Sequence, residues 1–243
     1  MEWRFKPARD FGLPLWRRVR SLGREPGLGS RVLHQAWLTS IGLYLWAFHR
    51  LHVDGCDNIP AEPPFVMIAN HASYLDAFCL ARALPRRLAS CAYALAAGDA
   101  FFDTLPAAGF SAFAVNALPV WRKGAPAAEL PVLRARLEED RVVLILFPEG
   151  TRSRTGTMAH FRAGMGALVA GGPVPVVPCW IDGAHAAWPP ERRLPRPRPI
   201  SVAIGVPLTF AEVDNDRTGW SLVAERCEQA VRGLGLAQAG AAS

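Results

Sequence analysis

Residues 141–147, RVVLILF, are the clearest buried strand in the chain: a short, unbroken apolar run bounded by charge and proline. Phe65–Ala69 is a second run of this kind, and residues 174–181 and 200–206 read the same way. Shorter strands are expected at 51–55, 88–95 and 113–120. Between the strands lie helical stretches at 76–84, 99–110 (broken by Pro106), 127–140, 161–170 and 218–234. Strands alternating with helices predict an α/β fold, with a mixed, largely parallel sheet flanked by helices. With 243 residues, 51% of them hydrophobic, one large domain with a sizeable core accommodates the whole pattern. No repeat or compositional break marks a second globular unit. The reading divides the chain into a basic and apolar N-terminal segment, 1–50, a domain over 51–236, and an Ala- and Gly-rich tail, 237–243, expected to be disordered.

A net charge of +6 suits nucleic acid, an anionic membrane surface or an anionic substrate, so the placement of charge must decide. The first twenty residues are basic and aromatic, with Trp3, Arg4, Phe5, Lys6, Arg9, Trp16, Arg17, Arg18 and Arg20. Residues 32–48 then hold no Lys, Arg, Asp or Glu, a stretch barely long enough to span a bilayer. Trp37, Tyr44 and Trp46 suit a headgroup boundary. The expectation is a helix lying on or dipping into one leaflet, at the cytoplasmic face of a membrane. No nucleic-acid motif accompanies the charge. Five scattered cysteines, Cys56, Cys79, Cys91, Cys179 and Cys227, form no C-x-x-C pair. They predict reduced thiols, with neither a zinc site nor a disulfide framework.

Two turns carry the chemistry. Asn70, His71 and Asp76 form an N-H-x4-D pattern where the Phe65–Ala69 strand ends and a helix begins. Ligands of α/β folds gather at such strand ends. Five residues along a helix rotate by roughly 140°, so His71 and Asp76 meet only if His71 lies in the turn and Asp76 points back to it. A carboxylate on one ring nitrogen would fix the tautomer and leave the other nitrogen to take a proton. Asn70 and Ser73 suit turn and capping roles. The second turn, Phe147, Pro148, Glu149, Gly150, Thr151, Arg152, Ser153 and Arg154, follows the 141–147 strand. Gly150 lets the backbone turn closely, and an arginine fork matches phosphate. A third, weaker stretch, residues 119–124, is a cationic turn containing Arg122. Residues 174–178, V-P-V-V-P, read as an edge or bulged strand shaping a wall. Residues 189–199, PPERRLPRPRP, are a basic, proline-rich loop, exposed or set against anionic headgroups or phosphates. Gly164 and Gly166 suggest close packing. Residues 109–113, GFSAF, lack the final glycine of a nucleophile elbow.

In this order the four stretches resemble the glycerolipid acyltransferase family, typified by 1-acylglycerol-3-phosphate acyltransferases. The resemblance covers roughly residues 50–210. N-H-x4-D and F-P-E-G-T-R-S are intact, while Trp121 stands where an acid often precedes the arginine of the second motif. The resemblance implies transfer of an acyl group from acyl-CoA or acyl carrier protein to a lysophospholipid hydroxyl, most simply 1-acylglycerol-3-phosphate. His71 would be the general base and Asp76 its orienting partner, with no acyl-enzyme, metal or other cofactor. Glu149, Gly150, Thr151 and Arg152 would form the acceptor site, and Arg122 would bind its phosphate. The implied partners are membrane lipids, the lysolipid and the acyl donor, with no nucleic acid. Another acceptor, such as a lyso-ornithine lipid, is the alternative, and a non-catalytic basic membrane-binding module is the reading from a different class.

Overall fold

A computed structural model of the chain describes residues 10–25, 28–98, 103–120 and 126–241. Its central strand, β2 (Phe65–Ala69), is buried along its whole length. Successive side chains of a strand point to opposite faces. Phe65, Met67 and Ala69 accordingly enter one apolar core, and Val66 and Ile68 enter another on the far side of the sheet. β5 (Val143–Leu146) repeats the pattern, with Val143 and Ile145 in the first core and Leu144 in the second.

The remaining strands are β1 (His52–Asp54), β3 (Ala92–Ala97), β4 (Leu118–Val120), β6 (Val176–Asp182) and β7 (Ser201–Ile204). Among the described residues the sheet order is β1-β7-β6-β2-β5-β3-β4. Every neighbouring pair is parallel except β6 and β7, which are antiparallel. This is the expected mixed, largely parallel sheet. The register pairs Ile68 with Leu146, so β2 and β5 end side by side and deliver the two sequence motifs to the same edge.

Helices cover both faces. α1 (Leu15–Val19), α2 (Leu28–His49), α3 (Asp76–Ala83), α4 (Arg86–Ala89) and α5 (Leu105–Ala114) come before β4. α6 (Pro126–Glu139), α7 (Ala184–Ala187) and the long α8 (Arg217–Ala241) follow. Several boundaries depart from expectation. Pro106 sits in the first turn of α5, where its missing N–H costs nothing, so the helix passes the expected break and takes in Phe113. It is followed by Asn116 at φ 52, leaving a strand of only three residues. Residues 88–95 divide between α4 and β3. The stretch expected as helix at 161–170 is a 3₁₀ helix, Ala163–Leu168. α8 runs to Ala241, past the point where the sequence reading begins a disordered tail, because alanine is the best helix former.

The described residues of the N-terminal segment pack against the sheet and its helices. α2 buries Leu45 completely in the first core and packs Leu38, Ile41 and Tyr44 beside it. Trp37 meets Phe78 of α3 and Phe110 and Phe113 of α5 edge-on or tilted. Arg136, 2% exposed, lies 4.3 Å over the Tyr93 ring and donates to the carbonyls of Leu22 and Arg24. The opposite side of α2 exposes Val32, Leu43 and Trp46, and Thr39 and Ser40 there turn their hydroxyls back onto the Gln35 and Ala36 carbonyls at 2.8 and 3.0 Å. Among the described residues no helix is long and apolar enough to cross a membrane.

The 3₁₀ helix lets α8 close over the second core. A Cβ on Gly166 would lie 2.4 Å from the Cα of Trp220, a backbone atom that cannot step aside. Gly166→Ala should therefore lower the free energy of unfolding by about 1–3 kcal/mol, the usual cost of overpacking, as read from urea titration followed by tryptophan fluorescence.

Candidate active site

The turn between β2 and α3 is built on one carboxylate. Asp76 is the first residue of α3 and is fully buried. Its Oδ2 accepts three N–H groups: the backbone amides of Ala72 at 2.7 Å and Ser73 at 2.8 Å, and Nδ1 of His71 at 2.8 Å. Burying a charge is tolerable only when it is hydrogen-bonded in this way. The three donors also fix the geometry, since the two amides hold Oδ2 in place and Oδ2 then holds the ring. His71 and Asp76 meet as the sequence requires, with His71 in the turn and Asp76 reaching back.

The imidazole stacks on Phe147 at 4.1 Å and 15°, so the last residue of the β5 run sets the plane of the ring. With Nδ1 donating to Asp76, Nε2 is the nitrogen able to accept a proton. It has no partner among the described residues, and the side chain keeps 18% of its surface open. Asn70, at the end of β2, donates to the Ile181 carbonyl at 2.9 Å and accepts from the Ile181 amide at 2.8 Å, which ties the turn to β6. Ser73 accepts from the Leu75 amide and donates to the Trp188 carbonyl at 2.8 Å, the turn role its position suggests.

The second turn is bonded directly to the first. Ser153 N–H donates to the His71 carbonyl at 2.8 Å. Glu149 is 3% exposed, and each oxygen is taken: Oε1 accepts from His71 N–H at 2.6 Å and Oε2 from Ala159 N–H at 2.8 Å. Burial pushes its carboxyl above the usual range, while the two amides and the neighbouring His71 pull it down. The sequence reading gives Glu149 to the acceptor; in the structure it braces the backbone of the turn that carries His71. Gly150 follows at φ 72, and a Cβ there would meet the Arg162 side chain, whose Nε donates to the Glu149 carbonyl at 3.2 Å.

Arg152 lies over the Tyr74 ring at 3.7 Å, a cation–π contact that holds the guanidinium beside the His71 turn. Tyr74 in turn packs on Trp188 at 5.1 Å. Thr151 is exposed at the tip. His71, Asp76, Glu149, Gly150, Thr151 and Arg152 thus form one cluster, whereas Arg122 lies outside the described residues. Sequence reasoning missed Tyr74 and Ala159. Tyr74 stands inside N-H-x4-D and offers its aromatic ring as a signal; Ala159 acts through its amide and offers none. All five cysteines are unpaired, and burial pushes the Cys79 and Cys179 thiols up and that of Cys227 to about 12.

A chemical sketch follows from the geometry: a base with an open nitrogen, a buried carboxylate behind it and an arginine alongside. The chain is 28% identical over 153 residues to the chloroplastic 1-acyl-sn-glycerol-3-phosphate acyltransferase BAT2 of Brassica napus, covering 62% of this chain and 42% of that protein. It is 31% identical over 140 residues to the human 1-acyl-sn-glycerol-3-phosphate acyltransferase alpha, covering 56% and 46%. The chain spans about half the length of these curated relatives. The crystal structure of the 1-acyl-sn-glycerophosphate acyltransferase PlsC from Thermotoga maritima shares the fold, with a TM-score of 0.61 at 22% identity over 83% of this chain and 80% of that one. A family model described as Acyltransferase matches residues 50–182, more than half of the 243, and the chain belongs to that family.

Proposed function

We propose that this chain is an O-acyltransferase that moves a fatty acyl group from a thioester, acyl-CoA or acyl carrier protein, to the free hydroxyl of a lysophospholipid. The acceptor we favour is 1-acylglycerol-3-phosphate, giving phosphatidic acid. The observation that carries this reading is the His71 Nδ1–Asp76 bond on a turn that shares backbone bonds with the Glu149–Arg152 turn.

Nε2 of His71 takes the acceptor's hydroxyl proton as that oxygen attacks the thioester carbonyl carbon. The tetrahedral intermediate collapses with cleavage of the C–S bond, and the imidazolium returns the proton to the leaving sulfur. An ester and a thiol are the products. Asp76 keeps Nδ1–H pointing away from the substrate and stabilises the imidazolium that forms. A base of this kind contributes about 10² to 10⁴ in rate. Arg152, beside Tyr74, is suited to the acceptor's phosphate, and Arg122 is assigned the same role on the motif alone. No acyl-enzyme is invoked, because the thioester is already activated and Ser73 is engaged in the turn.

The lipid acceptor implies a membrane surface, and we assign the contact to the apolar outer side of α2 together with the exposed arginines of the 189–199 loop, Arg193, Arg196 and Arg198. The two regions adjoin: His49 at the end of α2 donates Nδ1–H to the Arg198 carbonyl at 3.1 Å. Trp46, 69% exposed, and Leu43 lead toward that junction.

Two experiments test the reading. With acyl-CoA and 1-acylglycerol-3-phosphate, and thiol release followed over time, His71→Ala should stay folded and lose about 10² to 10⁴ in kcat. Asp76→Asn should lose less, because an amide oxygen still meets all three N–H groups and only the charge is gone; retention of most activity by His71→Ala refutes the base. In co-sedimentation with vesicles containing anionic lipid, the pair Leu43→Ser and Trp46→Ser should weaken binding at least about tenfold, given roughly 1.5–3 kcal/mol per large apolar side chain buried. Unchanged binding counts against the α2 contact.

A further inference from the structure

We propose that Glu228, on α8 and well outside the residues matched by the family model, is a positioning residue for His71. Its carboxylate holds the segment after the second motif in register with Glu149, and through Glu149 with the catalytic turn. The inference deepens the reading of the site given above.

The contacts form one chain. Glu228 Oε2 accepts the Phe161 amide at 2.8 Å. Two residues earlier, the Ala159 amide donates to Glu149 Oε2 at 2.8 Å. The other oxygen of Glu149 accepts the His71 amide at 2.6 Å. One helical turn along α8, Arg232 completes the clasp: its Nε donates to Glu228 Oε1 at 2.9 Å and its terminal nitrogen to the Met158 carbonyl at 3.2 Å. Residues 158–161 are therefore held at both ends by one pair on α8. Met158 and Phe161 are buried, so this segment has little water to turn to if the clasp opens. Burial raises the Glu228 carboxyl, but the Phe161 amide and Arg232 outweigh it, and the group stays ionised more readily than an ordinary glutamate. His160 also meets Oε1 at 3.0 Å, but its ring is 94% exposed and solvent screens that pair.

The segment has no hydrogen-bonded strand or regular helix of its own to fix it. Its placement relies on Pro148 and Glu149 on one side, where Arg162 N–H donates to the Pro148 carbonyl at 3.0 Å, and on α8 on the other. Loosening the α8 side leaves Glu149 free to shift its grip on the His71 amide. Displacements of about 1 Å near reacting atoms can cost around a hundredfold in rate.

The test uses the full chain with acyl-CoA and 1-acylglycerol-3-phosphate. Glu228→Ala should lower kcat by about tenfold to a hundredfold while leaving both KM values within about twofold, as expected of a loss felt at the base and not in substrate binding. Glu228→Gln, which still offers an oxygen to the Phe161 amide, should recover part of the loss. Glu225→Ala, on the exposed side of the same helix, should change nothing. A double-mutant cycle separates positioning from general weakening: added to Glu149→Gln, Glu228→Ala should cost little more, whereas an independent effect would multiply. Amide exchange should quicken over 158–161 and at His71. Full kcat in Glu228→Ala, a multiplicative cycle, or unchanged exchange at His71 overturns the proposal. If Glu228→Ala fails to fold, Glu228→Gln and its exchange carry the same decision. If the wild-type chain transfers no acyl group, it is the functional reading that fails, and the exchange measurements still decide the brace.

Discussion

The site depends on a single buried oxygen. Oδ2 of Asp76 gathers two backbone amides and one ring N–H, and by doing so gives the turn its shape and the imidazole its orientation together. Remove the two amides and the carboxylate could rotate; remove the carboxylate and the turn would lose the acceptor that three donors share. Because Asp76 opens α3, the same residue also starts a helix whose buried face, carrying Cys79, Leu80 and Ala83 beneath Asp76, is seated in the core. The position of His71 is thus anchored in the apolar packing beneath α3.

A second carboxylate, Glu149, works by the same physics on the other side of the turn. Each of its oxygens is committed to a backbone amide, and it is nearly sealed from solvent. A charge in that position is costly unless fully bonded, which makes it a sensitive brace: an amide in its place could satisfy only one of the two donors. Arginine 152 completes the arrangement by lying on Tyr74, a residue of the first motif, so each motif supplies part of the other's support.

What the sequence reveals, and what it conceals, follows from range. The strand–turn–helix around residues 65–84 is readable because every signal in it is local: an apolar run, a turn and a carboxylate five residues after the histidine. The sheet is readable for the same reason, as short apolar runs separated by helices. The role of Glu149 is not, because its partner His71 is 78 residues away and the bond uses a backbone atom that carries no residue identity. Gly166 is a middle case: glycine hints at close approach, and only the packed α8 says against what. The two sides of α2 are not legible either, because the charge-free stretch 32–48 looks alike whether it meets solvent, lipid or protein. The structure separates them: Leu45 is buried in the core and Trp46 is exposed.

The parallel pairing of β2 with β5 has a consequence for synthesis. A parallel pair cannot close as a hairpin; it waits for the intervening chain, here more than seventy residues, to be threaded through its crossover. A ribosome that has released the histidine turn has not yet made the strand that flanks it, nor the amide at 159 that the glutamate grips. The imidazole therefore lacks its setting until the chain has been made through residue 159 and has folded back.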